Sequence, residues 1–231
     1  MTKEVTTKQS TEVAVPTDLG AWGDVVVEQK DLVLSKILIQ QALSEAVKQK
    51  KASDGDLLNT LTGEVLGTEV ELLPFYVKQS VVIEKWNGKK FEFHSVIQYD
   101  GKSRPFEEEI NGVRYKNSHM YEFFCLTSSL GLPHILPFKG TSNKVGKQLF
   151  TMMYVSNIAE KLTPAGKWIK YSTKNEVNKD GDSYYVSHFN PGKKATNEEV
   201  KECLKWIETL KNSKFTSAEE KESPAVHTDL F

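Results

Sequence analysis

Val70-Glu-Leu-Leu-Pro-Phe-Tyr-Val-Lys-Gln-Ser-Val-Val-Ile-Glu-Lys-Trp86, then Asn87-Gly88, then Lys89-Lys-Phe-Glu-Phe-His-Ser-Val-Ile-Gln98 reads as strand, turn and strand. Both flanks are rich in Val, Ile, Phe and Tyr, the residues that fit a pleated, half-buried surface. Asn-Gly between two such runs is the strongest short hairpin signal, because a tight two-residue turn needs positive φ at both positions. The middle of the chain is therefore β, and its neighbours are read outward from this hairpin.

Upstream, Leu32-Val-Leu-Ser-Lys-Ile-Leu-Ile-Gln40 is a short apolar run, a strand or a buried turn of helix. Residues 48–69 read as loop, with Gly and Asp at turn positions. Downstream, residues 99–118 are polar and charged, with Glu107-Glu108-Glu109 and Asn111-Gly112, and read as a protruding loop or short hairpin. Tyr121 to Leu130 is apolar and aromatic. Pro133-His-Ile-Leu-Pro-Phe138 reads as an edge strand, since two prolines remove donors from the ladder.

A helix is expected from about Ser142 to Lys161. Thr141 or Ser142 caps it, Leu149, Met152, Met153, Val155, Ile158 and Leu162 form its apolar face, and Pro164 ends it. Lys167–Val177 and Ser183–Phe189 alternate as two strands around Asn178-Lys-Asp-Gly-Asp182. A last helix starts near Asn197, with Glu198 and Glu199 in its first turn and Lys211 in its last, as the helix dipole favours. Val200, Cys203, Leu204, Ile207 and Leu210 are its expected buried stripe. The fold class is α+β and β-rich. A helix inserted between the third and fourth strands of a small barrel is the OB-fold arrangement, a partly open barrel that binds oligonucleotides. The expected organisation is a flexible N-terminal arm over 1–30 with Trp22 as an anchor, an OB-like domain over 31–213, and a disordered acidic tail over 214–231.

Hydrophobic residues make up 39% of the chain, enough for a sizeable core. No apolar run is long enough for a membrane span, and the first ten residues lack the apolar core of a signal peptide. Cys125 and Cys203 do not make a disulfide framework and read as buried free thiols. The expected location is the cytoplasm. The net charge of −1 hides an uneven distribution: residues 139–174 carry seven lysines against Glu160, and residues 214–231 carry a net −2. Such asymmetry points to a polyanionic partner, the alternative being a solvated lysine-rich face.

Catalytic motifs fail on spacing. Gly140-Thr-Ser-Asn-Lys-Val-Gly146-Lys147-Gln148 has five residues between its glycines where a P-loop has four, and Gln148 stands where the magnesium hydroxyl belongs. Asn178-Lys-Asp180-Gly-Asp182 has its glycine at the wrong place for a calcium loop. His94, His119, His134, His188 and His227 show no metal-ligand spacing. No nucleophile elbow or catalytic carboxylate cluster occurs, so the chain reads as a non-enzyme without cofactor or metal.

What remains is cations interleaved with aromatic rings. On Lys167-Trp168-Ile-Lys170-Tyr-Ser-Thr-Lys174, alternation puts Trp168, Lys170 and Lys174 on one face. Lys85-Trp86-Asn-Gly-Lys89-Lys90-Phe91 makes a second cluster at the hairpin tip. Lys139, Lys144 and Lys147 surround the entrance to the first long helix, where free N–H groups can hold a phosphate. Rings that stack on bases beside lysines that meet phosphates are how single strands are bound. The bland alternative makes each ring part of the core. Arg104 and Arg114 lie in the acidic 99–118 stretch, so base-edge reading is not expected and binding is sequence-tolerant.

The last residues, Ser217-Ala-Glu-Glu-Lys-Glu-Ser-Pro-Ala-Val-His-Thr-Asp229-Leu230-Phe231, have no amphipathic period and end in an aromatic beside its own carboxylate. With a β-rich core and a lysine–aromatic surface, this end resembles the single-stranded DNA-binding proteins of tailed bacteriophages, whose acidic tails finish in Phe. Asp54-Gly-Asp-Leu-Leu-Asn-Thr-Leu-Thr-Gly-Glu-Val-Leu-Gly67 also looks like a block of phage proteins of this size. The resemblance implies single-stranded DNA as ligand and a role in phage DNA replication or recombination in the host cytoplasm. Asp229, Leu230 and Phe231 are then the residues that replication or recombination proteins capture, and a homo-oligomer is compatible with it. The other class left open is a phage structural or protein-interaction module with a basic contact face.

Overall fold

A computed structural model describes residues 33–102, 104–128, 131–160 and 165–212, with the backbone alone for 157–160 and 212. The expected N-terminal arm, Trp22, the helix residue Leu162 and the acidic tail lie outside the described residues, and the side chain of Ile158 is not described.

Nine strands form one sheet. Its spine is β3 (Glu69–Trp86), which pairs along one side with β6 (Val113–Leu126). On its other side β3 pairs first with β8 (Lys167–Val177) and then, beyond Gln79, with β4 (Phe91–Gln98). The path across the sheet is β2 (Leu57–Asn59), β1 (Ser35–Ile39), β7 (His134–Lys139), β6, β3, β8, β9 (Ser183–Lys194). The short β5 (Glu107–Ile110) hangs on the start of β6. Strands β3, β4, β5 and the first half of β6 thus form an arm.

The hairpin that decides the fold is present, with a different turn. Trp86 pairs with Phe91, so the loop is Asn87–Lys90, closed by the Asn87 N–H donating to the Lys90 carbonyl at 3.0 Å. The Asn87 carboxamide oxygen accepts from the N–H groups of Lys89 and Lys90, and only Gly88 of this loop is at positive φ. The two-residue Asn-Gly turn lies instead at Asn111-Gly112, φ 54° and 76°, between the paired Ile110 and Val113.

Side chains alternate across the sheet and build a core on each side. Leu72, Phe123, Cys125, Leu136, Phe138, Ile169 and Tyr171 lie on one side with Ile37 and Leu57. The helix α2 (Asn143–Glu160) covers them with Leu149 and Met153. Strands from both ends of the sheet meet there, so this is the concave side of a curled half-barrel. Leu73, Phe75, Phe124, Leu126, Ile135 and Trp168 lie on the convex side, under Cys203 and Leu210 of α3 (Asn197–Asn212). Each large apolar side chain so buried contributes roughly 1.5–3 kcal/mol. The register of β3 shifts between Pro74 and Tyr76, and the extra residue swaps which parity faces which side.

Four details differ from the sequence expectation. The 48–69 stretch is not all loop: α1 (Glu45–Lys48) leads into it and β2 lies within it. Strand β7 is internal, because β1 pairs with it in parallel at His134 and Ile135; Pro137 lies past that pairing, so its missing N–H costs nothing. Val155 of α2 and Leu204 of α3 are exposed rather than buried. A 3-10 turn, Gly140–Ser142, precedes α2, and the Ser142 hydroxyl turns back to donate to the Lys139 carbonyl.

The Asp54–Gly67 block now has a physical role: it ties one end of the sheet to the other. The Thr173 hydroxyl of β8 donates to the Gly55 carbonyl at 2.7 Å, and Gln41 both donates to and accepts from the Tyr185 backbone of β9. Gly55 sits at φ 87°, and a Cβ there would run into the Tyr185 ring. Gly55→Ala therefore carries a left-handed penalty of about 1–2 kcal/mol and must displace Tyr185 as well. Chemical denaturation should show a loss larger than that penalty alone, and an unchanged midpoint would refute the tie.

Candidate nucleic-acid interface

The arm carries rings and cations on its convex side. On β3, Trp86, Glu84 and Val82 point that way; on β6 so do Arg114, Lys116 and Ser118; Phe91 and Phe93 lie opposite Trp86 and Glu84. Trp86 packs edge-on against Phe91 at 5.1 Å. The Arg114 guanidinium lies 5.5 Å from the Trp86 ring and 5.7 Å from Phe91. The Lys116 ammonium lies 5.8 Å from Phe91 and 5.1 Å from Phe106. Phe93 and Phe106 are 59% and 60% exposed, far more than large rings in a core. Cations over ring faces hold the rings flat and add positive potential beside them.

The face also carries acids. Arg114 donates to Glu107 at 3.0 Å and Lys139 to Glu84 at 3.1 Å, and at the tip Lys90 lies 3.6 Å from Glu92, which shares the concave side with Lys85. These pairs are partly exposed and weakly stabilising, so an incoming phosphate can compete for each cation. Lys85 and Lys89 at the tip are exposed with no acidic partner among the described residues.

The chain also matches, over residues 6–215, the family described as Pam3 phage gp34-like protein. It belongs to that family. It is accordingly a phage protein. No curated protein and no solved structure matches the chain. In this gp34-like chain Asp229, Leu230 and Phe231 lie beyond the matched span and outside the described residues.

The expected lysine cluster of residues 139–174 does not converge in this family member. Lys144 and Lys147 are exposed on α2, which covers the concave side. Lys139 reaches Glu84 on the convex side, Lys170 is paired with Glu69 at 2.7 Å, and Lys174 is exposed near the far end of β8. Trp168 is a correction: it is 2% exposed, in the convex core. Its indole N–H donates to Glu199 of α3 at 3.1 Å, and Lys193 lies 5.3 Å from its ring. A ring so enclosed cannot stack on a base while the domain is folded.

The glycine of the P-loop look-alike has a packing cause: a Cβ on Gly146 would lie 2.8 Å from the Phe138 Cβ, so glycine lets α2 approach β7. The Asn178–Asp182 segment is a hairpin turn held by the Asn178 side chain, which accepts from the N–H groups of Asp180 and Asp182. Among the described residues no cluster of His, Cys, Asp and Glu could hold a metal ion. Both cysteines are buried and free, and burial pushes the Cys203 thiol up to about 12 and Cys125 higher still, which keeps them unreactive. No helix among the described residues is long and apolar enough to cross a membrane.

Proposed function

We propose that this phage protein binds single-stranded DNA without catalysis, in phage DNA replication or recombination in the host cytoplasm, on an OB-fold-like barrel. The observation that carries the reading is the open ring–cation face of the arm, Trp86, Phe91, Phe93 and Phe106 with Arg114 and Lys116 against them. Bases stack on such rings whatever their sequence, and the neighbouring cations meet phosphates. The strand order supports the barrel reading. Without β1, β2, β4 and β5, five strands remain in the order β7, β6, β3, β8, β9, with α2 between the third and fourth along the chain. In OB-folds the second and third strands and the loop after the first strand bind oligonucleotides; here that loop is the arm. The Asp229-Leu230-Phe231 end serves, on this reading, as the handle for replication or recombination proteins.

The test is a fluorescence titration with poly-dT at several salt concentrations, with duplex DNA beside it. Binding should prefer the single strand and weaken steeply with salt. Equal affinity for duplex, or none for either, would refute the proposal. The second reading, a phage structural or protein-interaction module, is favoured by Glu107, Glu108 and Glu109 on β5 beside the basic groups. It predicts no salt-dependent oligonucleotide binding.

A further inference from the structure

The concave side of the same sheet holds a second row of rings that the convex site does not use. On β6 the alternate residues Tyr115, His119 and Tyr121 point to this side, with Phe123 at its buried end. His94 of β4 lies 5.7 Å from Tyr115, and Tyr99 meets His119 edge-on at 4.9 Å. The row continues onto α2, where Phe150 lies 6.1 Å from Tyr121 and Tyr154 stacks beside Phe150 at 6.4 Å. None of the rings from His94 to Tyr154 is fully buried, and Tyr154 is 58% exposed.

The charges beside this row are mostly positive. Lys147 precedes Phe150 and Tyr154 by three and seven residues and so shares their side of α2; Lys144 is one turn away. Both are exposed and have no acidic partner among the described residues. Of the acids near the row, Asp100 beside Tyr99 is paired with Arg104 at 3.8 Å, Glu108 is occupied by the Asn117 amide at 2.7 Å, and Glu92 lies toward the tip beside Lys90. Two polar acceptors also stand without partners: the carboxamide oxygens of Asn117, between Tyr115 and His119, and of Asn143, whose amide donates to the His119 carbonyl. Shielded acceptors left unpaired are rare in native structures and leave polar capacity under the row.

We propose that this concave row is a second subsite for a single strand, with Lys144 and Lys147 as its phosphate contacts, so that one strand wraps the tip of the arm. The inference rests on the single-strand reading above. The tip lysines join the two subsites, since Lys85 points to the concave side, Trp86 to the convex side, and Lys89 and Lys90 lie in the turn between them. From Gln79, opposite Tyr121, to Trp86 each face runs roughly 23 Å. At about 3.4 Å per stacked nucleotide one face holds about seven nucleotides.

The test uses the full chain and thymidine oligomers of about seven and about fourteen nucleotides, one face and two. Tyr154→Ala and Lys147→Ala change exposed side chains, and thermal melts establish that both fold. With the longer oligomer Tyr154→Ala should lose roughly 5- to 150-fold in affinity, and Lys147→Ala should flatten the salt slope by about one unit. Ultraviolet crosslinks to wild type should map to α2 as well as to the arm. Unchanged affinity in both variants, with crosslinks confined to the convex side, would overturn the second subsite and leave the single-strand reading standing. A wild type that binds neither oligomer removes the reading and the subsite together.

Discussion

Trp168→Ala is expected to remove about 3–5 kcal/mol of folding stability, the cost of deleting a large ring from a closed site. In a domain of this size that lowers the melting temperature by roughly 6–20 °C. The ring is 2% exposed among Leu73, Phe75 and Phe124, and α3 closes over it with Cys203 and Leu210. Gly192 runs so close that a Cβ there would lie 3.0 Å from the Trp168 carbonyl oxygen, so β9 packs tightly against the Trp168 backbone. Trp168→Phe should recover most of the loss, since it keeps apolar volume and gives up the bond to Glu199, worth about 1 kcal/mol. Differential scanning calorimetry of the three proteins decides the point. A Trp168→Ala variant that melts with wild type and binds DNA more weakly would return the ring to the surface.

That expectation reverses what local sequence suggests, and the reason is distance along the chain. Trp168 and Lys170 share a strand face, as alternation says. The cover over Trp168 comes from Glu199, thirty-one residues later. A strand pattern shows which residues lie together, not what lies above them. The same limit explains β7: its prolines read as an edge signal, and only the parallel pairing with β1, about a hundred residues earlier in the sequence, makes it internal.

Elements with strong local signals were legible. The helices at Asn143–Glu160 and Asn197–Asn212, the hairpin around Asn178, and the two strands of Val70–Gln98 follow from apolar period and turn residues, though the expected cap of the first helix and the two-residue turn at Asn87-Gly88 are not what forms. Register was not. The bulge at Pro74–Tyr76 reverses the parity of β3, so Leu72 faces the concave side with Val77 rather than with Tyr76. Pro74 is its one local mark, since a proline inside a strand is confined to edges and bulges, but it does not say which residue is extra. Of the proposed ring–cation face, the sequence pointed to only some members. Lys85, Trp86, Lys89 and Lys90 stand at the tip of the arm, as the interleaving of rings and lysines suggested. Phe106, Arg114 and Lys116 were hidden inside a stretch dominated by Glu107, Glu108 and Glu109. Their signal was the turn at Asn111-Gly112, which folds β5 onto β6 and pairs Glu107 with Lys116.

The arm supplies the largest expected effect on binding. Phe93→Ala and Phe106→Ala should each weaken poly-dT binding by about 1–3 kcal/mol, the cost of removing one base–ring stack. These two rings are better probes than Trp86. Each is mostly exposed, so truncation removes little packing, whereas Trp86 is half-buried against Phe91 and its loss would also disturb the hairpin. Arg114→Ala and Lys116→Ala should lower affinity with a different signature, flattening the salt dependence by about one unit for each phosphate no longer neutralised. Arg114 also steadies Trp86 and Phe91 from above, so its removal should cost more than that of Lys89, which lies at the turn and faces no ring. Glu107→Gln should act in the opposite direction: it frees Arg114 from its 3.0 Å partner and removes a negative charge from the face, so binding tightens at low salt and the gain fades as salt screens it. Anisotropy titrations of labelled poly-dT across salt would read all five variants. Wild-type affinity in both Phe93→Ala and Phe106→Ala would remove stacking from the account of the arm, and a Glu107→Gln variant that binds more weakly would show that Arg114 does not meet phosphate.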